Sequence, residues 1–168
     1  MRNTKKQIQL LTLLSMLTAA ALILSYAESV LPPVFPTVPG IKIGLPNIIT
    51  VFVLYRMGIS PAFLLSILRI SLAALLFGNP ISFVYSLAGS VLSISIMVLL
   101  KRIDAVSAVG VSVAGGIFHN VGQILAAMLI LGTAKIGYYL VILAVTGTLS
   151  GLFVGLCGAL MISRFPQM

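Results

Sequence analysis

His119, Asn120 and Gln123 stand together in GGIFHNVGQI, residues 115–124, inside an otherwise apolar run. Imidazole and amide groups donate and accept hydrogen bonds, so the trio has the chemistry to hold a polar solute. At helical spacing Ser112, Gly115, His119 and Gln123 fall three or four apart and share one stripe, with Asn120 one position around. Small residues on that stripe admit a neighbouring helix, so His119 and Gln123 are expected to face a bundle interior rather than lipid. Two roles fit the trio: contacts to a solute, or hydrogen bonds between helices that fix packing. Arg69, in ISPAFLLSILRISLAALLFG, raises the same choice. An unpaired arginine near mid-bilayer costs at least ~2.5 kcal/mol, so it needs a partner or an aqueous cavity. An anionic ligand group, backbone carbonyls or Glu28 would each serve, and Lys42 offers a second cation for an anion.

Other chemistry is scarce. His119 is the only histidine, and Glu28 and Asp104 are the only acids. There is no Gly-x-Ser-x-Gly elbow and no P-loop, so nucleophilic catalysis and ATP use find no residues here. Metal-dependent diphosphate chemistry needs grouped oxygen ligands, and the two acids are expected at opposite membrane faces. Cys157 stands alone in an apolar run, which excludes an intrachain disulfide and a cysteine metal cluster. The expectation is a chain without a cofactor or metal, and not an enzyme in its own right.

The elements that must position these residues follow from composition. Of the 168 residues, 60% are hydrophobic and 7% charged, far from a soluble domain. The expected fold is all-α: a single integral membrane domain over 1–168, a six-transmembrane-helix bundle in contact with the lipid bilayer. Apolar runs lie at about 8–27, 44–57, 60–77, 81–100, 105–131 and 137–162. The second is short for a span, so tilt or extension by the preceding loop is expected. That loop, LPPVFPTVPGIKIGLP over 31–46, holds five of the eight prolines and cannot be regular helix. The start MRNTKKQ with its apolar run resembles a signal peptide ending at Ser25-Tyr26-Ala27, but the stretch is long for one and a retained first helix is expected.

The net charge of +8 forms no patch or basic helix, which argues against nucleic acid. It reads as topology. Arg2, Lys5, Lys6, Arg56, Lys101, Arg102 and Arg164 fall on one side of six spans, against Lys42 and Lys135 on the other. Both termini are then expected on the cytoplasmic side. Glu28, Lys42, Asn47 and Asn79 fall at the outer surface, with His119 and Gln123 past the midplane in the outer half, so polar side chains gather where an outward-open solute pocket would lie. Serines 82, 86, 90 and 93 form another stripe, read as packing, as are Gly147, Gly151, Gly155 and Ala159 in the last run.

Four stretches carry a family resemblance: ILSYAESVLPP, PGIKIGLPNIITVFVLYRMG, RISLAALLFGNPISFVYSLAGSVLSISIMVLLKR and GVSVAGGIFHNVGQILAA. Over roughly 25–127 the chain resembles the small bacterial membrane family known both as heptaprenyl diphosphate synthase component I and as Gx transporter. Its size and topology are similar to the S components of energy-coupling factor transporters, which capture vitamins from outside and dock on an ATPase-driven module. S components usually dock through Ala-x-x-x-Ala on helix 1, where this chain has Ser15-x-x-x-Ala19 and Ala21-x-x-x-Ser25. The resemblance implies either a transport protein with a small-molecule substrate, anionic if Arg69 or Lys42 reads it, or a non-catalytic membrane subunit of a polyprenyl diphosphate synthase. The matching partners are a transporter energising module or a soluble prenyltransferase subunit; a purely structural assembly subunit is the third reading. The candidate substrate contacts are Glu28, Lys42, Asn47, Arg69, His119, Asn120 and Gln123.

Overall fold

The computed structural model describes residues 2–31 and 43–165, with side chains from Thr4 onward. Among them are six α-helices: α1 Arg2–Val30, α2 Asn47–Arg56, α3 Ile59–Leu76, α4 Pro80–Leu100, α5 Ala108–Leu131 and α6 Leu140–Arg164, with a 3-10 helix, Ala134–Tyr139, before the last. Five stretches are long and apolar enough to cross a bilayer: Thr4–Val30, Ile59–Leu76, Pro80–Leu100, Ala108–Leu131 and Ala134–Arg164. The protein is a polytopic helical membrane protein.

Local chemistry sets the helix ends. α1 runs through the polar start because nothing there breaks a helix before the proline-rich stretch. Asn79 opens α4 with a capping box, its Oδ1 accepting from Ser82 N at 2.8 Å while Ser82 Oγ accepts from Asn79 N at 3.1 Å. α5 begins at Ala108 rather than 105, because Ser107 caps it by accepting from Gly110 N at 3.1 Å. That start puts His119 at the midpoint of α5 rather than past it. α5 ends at Gly132, whose φ of 61° is the left-handed helix stop that glycine adopts without penalty.

The second helix departs furthest from its expected length. α2 has 10 residues, about 15 Å at 1.5 Å per residue, or half a hydrocarbon core. α2 is therefore too short to cross a hydrocarbon core by itself; residues 43–46 before it form a non-helical turn, and 32–42 lie outside the described residues. α2 survives as a half-length helix because it is apolar all round and enclosed, every residue from Ile49 to Leu54 being buried. It packs on α1, α3 and α6, and Leu54, Val53, Leu65 and Val111 are fully buried in the core there.

α5 is the central partner, most extensively paired with α6 and then α4. Backbones touch at both seams. A Cβ on Gly122 would lie 2.7 Å from Ala88 O, and one on Gly147 2.8 Å from Gly116 O. The packing expected of Gly147, Gly151 and Gly155 is thus found against α5. α1 joins mainly through α3, burying Leu14, Ala21 and Ser25. Ala21 and Ser25 are consequently used inside the bundle, whereas Ser15 and Ala19 are exposed.

Candidate functional site

One end of the bundle, marked by Glu28, is hollow. A polar cavity of about 140 Å3 lies there, walled by α1, α3, α4 and α5, with the 43–47 turn and Ser150 of α6 completing it. Of the residues expected to contact a solute, Glu28, Asn47, Arg69, His119, Asn120 and Gln123 all line it. Lys42 lies outside the described residues.

Arg69 is the unusual member. It is 8% exposed, and its Nη1 donates to Ser25 Oγ at 3.1 Å. Ser25 Oγ spends its own proton on Ala21 O at 3.0 Å, which leaves its lone pairs for the guanidinium. Nε has no hydrogen-bond partner among the described residues. A buried charged donor left unsatisfied costs more than the ~1–3 kcal/mol of a neutral one. Glu28 shares the cavity wall and its charge acts on Arg69, but the hydrogen bond it makes is to Gly44 N, across the mouth from α1 to the turn before α2.

The stripe on α5 faces α4. Gly89 makes the space: a Cβ there would lie 3.1 Å from His119 Cε1 and 3.0 Å from Gln123 Cγ. The glycine lets both side chains lie between the helices at the cavity wall. Asn120 turns the other way, its Nδ2 donating to Leu143 O of α6 at 2.6 Å, so interhelical bonding claims that part of the trio.

A smaller cavity of about 30 Å3 continues inward, sharing Gly44, Asn47, Gly116, His119 and Ser150 with the first. That is room for about two waters. Thr50, Ser90, Ser93 and Ser112 put hydroxyls on it, and Met97 and Val154 lie at its wall. The serine stripe of α4 is therefore not packing alone. Ser82 and Ser86 line the larger cavity and Ser90 and Ser93 the smaller, although Ser93 also packs as expected, donating to Gly115 O at 2.8 Å. The departure has a plain cause: serine is small enough to leave space where two helices diverge. Sequence reasoning also passed over Ser25, Ser29 and Ser150. Ser25 was within reach, since it sits three residues before Glu28 on one helix face.

A family model, heptaprenyl diphosphate synthase component I, matches residues 17–161. The chain belongs to that family. No curated protein and no solved structure matches it. The matched span contains every described cavity residue from Ser25 to Ser150. The family description names one component of a prenyl diphosphate synthase, which implies a synthase partner subunit. Among the described residues, no three His, Cys, Asp or Glu gather where they could hold a metal ion.

The opposite end, marked by Lys101, is solid. Lys101 Nζ donates to Leu54 O at 2.7 Å and lies 4.9 Å from the Tyr55 ring centroid. Arg56 donates to Ile162 O, and its Nε, like that of Arg69, has no hydrogen-bond partner among the described residues. Both cations thus cap carbonyls at helix C-termini, of α2 and of α6, where the negative end of the dipole favours them. Partial burial lowers the Lys101 pKa from the ordinary lysine value. Asp104 is exposed at this end, far along the bundle from Glu28.

Proposed function

We propose that this component I chain is a membrane transport protein that binds a small solute in the Glu28-end cavity, grips it through an anionic group at Arg69, and helps carry it inward. The single observation behind the reading is Arg69: a buried guanidinium in a polar cavity wall, with Nε unpartnered among the described residues. An oxyanion would supply the missing acceptor. α2 adds to this field, since its N-terminal end opens on the cavity through Asn47. It adds dipole rather than donors, because Gly44, Leu45 and Pro46 carbonyls already accept from the amides of residues 47–49. Half-length helices whose N-terminal ends face an anionic substrate group are also a feature of transporter sites.

Orientation follows the charge bias. With the Lys101 end cytoplasmic, the cavity faces outward and both termini lie inside. In the S-component-like form of this reading, an energising module would supply ATP hydrolysis. The cavity volume favours a compact solute, since about 140 Å3 accommodates a molecule of benzene size rather than a polyprenyl chain.

The family description favours a second reading, a non-catalytic membrane subunit of a polyprenyl diphosphate synthase. The two part on a purification. Mass spectrometry of the wild-type chain extracted in mild detergent should find a retained small anion that is missing from Arg69→Gln. Stoichiometric copurification of a soluble prenyltransferase, with no small solute in either preparation, supports the synthase subunit instead.

A further inference from the structure

Arg69 and Glu28 line the same cavity, yet each makes its hydrogen bond elsewhere, Arg69 donating to Ser25 Oγ and Glu28 accepting from Gly44 N. They are the charged Arg, Lys, Asp and Glu side chains of that cavity among the described residues, one of each sign. Ser25 and Glu28 lie on the same face of α1, so the serine holds the guanidinium one turn below the carboxylate. A lone anion on Arg69 would share a low-dielectric space with a like charge, and a lone cation on Glu28 would face the guanidinium. A molecule bearing both charges meets a complementary group at each end.

We infer that the solute is a small zwitterion, one oxyanion and one ammonium on a compact skeleton, with the oxyanion on Arg69 and the ammonium toward Glu28. The inference rests on the solute-binding reading of the same cavity and adds the second charge. Size agrees with it, because a cavity of about 140 Å3 suits a skeleton of roughly six to ten heavy atoms. The remaining wall suits the uncharged parts: Ser86, Gln123 and His119 offer hydrogen bonds, and Ile70, Ala73 and Phe77 offer apolar surface.

The test uses the purified full chain in lipid nanodiscs. Binding is measured by isothermal titration for the proteinogenic L-amino acids, β-alanine, γ-aminobutyrate and glycine betaine, for inorganic phosphate, and for two analogues of each zwitterion, one without its ammonium and one without its carboxylate. At least one zwitterion should bind about tenfold more tightly than both of its analogues. Glu28→Gln keeps an oxygen for Gly44 N and removes the charge; in it, the zwitterion and its ammonium-free analogue should bind within about threefold of each other. If the ammonium-free carboxylate, or phosphate, already matches the best zwitterion on the wild-type chain, the second charge is overturned while the anion-binding reading stands. If a cooperatively melting wild-type chain binds no zwitterion, carboxylate or phosphate, both are overturned. The analogue comparison on the wild-type chain decides the matter even where Glu28→Gln does not fold.

Discussion

The two ends of this bundle use positive charge in opposite ways. At the Lys101 end, Lys101 and Arg56 reach helix-terminal carbonyls and close the structure over the packed core around Leu54. At the Glu28 end, Arg69 is more deeply buried than either, yet it meets one serine and a cavity. Nε of both arginines lacks a hydrogen-bond partner among the described residues, so an open donor does not by itself separate the ends. The difference lies in the surroundings: Arg56 reaches a helix-terminal carbonyl, whereas Arg69 lines a cavity with room for a small solute.

The largest effect that would sharpen this contrast is on stability at the solid end. Leu54→Ala should lower unfolding free energy by ~2–5 kcal/mol through reduced burial and an unfilled space. A melting curve in detergent reads this directly. Solute affinity per folded molecule should stay unchanged, and a parallel drop in affinity would show that the ends are not separable. Arg69→Lys comes next, at the hollow end. It retains the charge but not the planar fork, so affinity for the anionic group should fall by ~1–3 kcal/mol while insertion and melting stay near wild type. Failure of the lysine variant to fold would instead make Arg69 a structural residue, and full binding by Arg69→Ala would remove it from the site.

His119→Ala and Gln123→Ala should each weaken solute binding by ~1–3 kcal/mol, the range for depriving a buried polar group of its hydrogen-bond partner, with little change in melting. Asn120→Ala should do the reverse, since its amide ties α5 to α6 at Leu143. Equal stability losses in all three would return the whole trio to packing. The smallest effect is expected from Arg56→Met, which keeps the aliphatic stem over the α6 terminus and removes the cap, for ~1 kcal/mol in stability and none in binding.

How much of this was legible in the sequence differs from residue to residue. The helices were, because apolar runs separated by short polar, proline or glycine punctuation leave few alternatives, although the fifth run was started at 105, ahead of its Ser107 cap. The convergence of Glu28, Asn47, His119 and Gln123 toward one end was anticipated from their depth measured from the helix starts, whereas Arg69 was placed near mid-bilayer by its cost there alone. The inward turn of Arg69 was foreseeable from its cost in lipid. Its hydrogen bond to Ser25 was not, because a serine in an apolar helix looks the same whether it packs or binds. Ser82 and Ser86 were missed for the same reason: whether a small-residue stripe closes against its neighbour or leaves a gap depends on where two helices diverge, and local sequence does not encode that divergence. The half-length α2 was only partly visible, since the apolar run at 44–57 merges with a turn whose Gly44 and Pro46 sit beside equally apolar neighbours.

The contrast between the hollow Glu28 end and the Lys101 end, with the proposal that the hollow end faces outward, is tested most directly by accessibility in intact cells. In a Cys157→Ser background, single cysteines at Ser86 in the cavity wall and at Leu65 in the core are exposed to a membrane-impermeant thiol reagent from outside. The expected result is labelling at position 86, slowed by added solute, and none at position 65 until the membrane is dissolved. Labelling at 86 only from the cytoplasmic side, or equal labelling at both positions, would contradict an outward-facing cavity closed at its inner end.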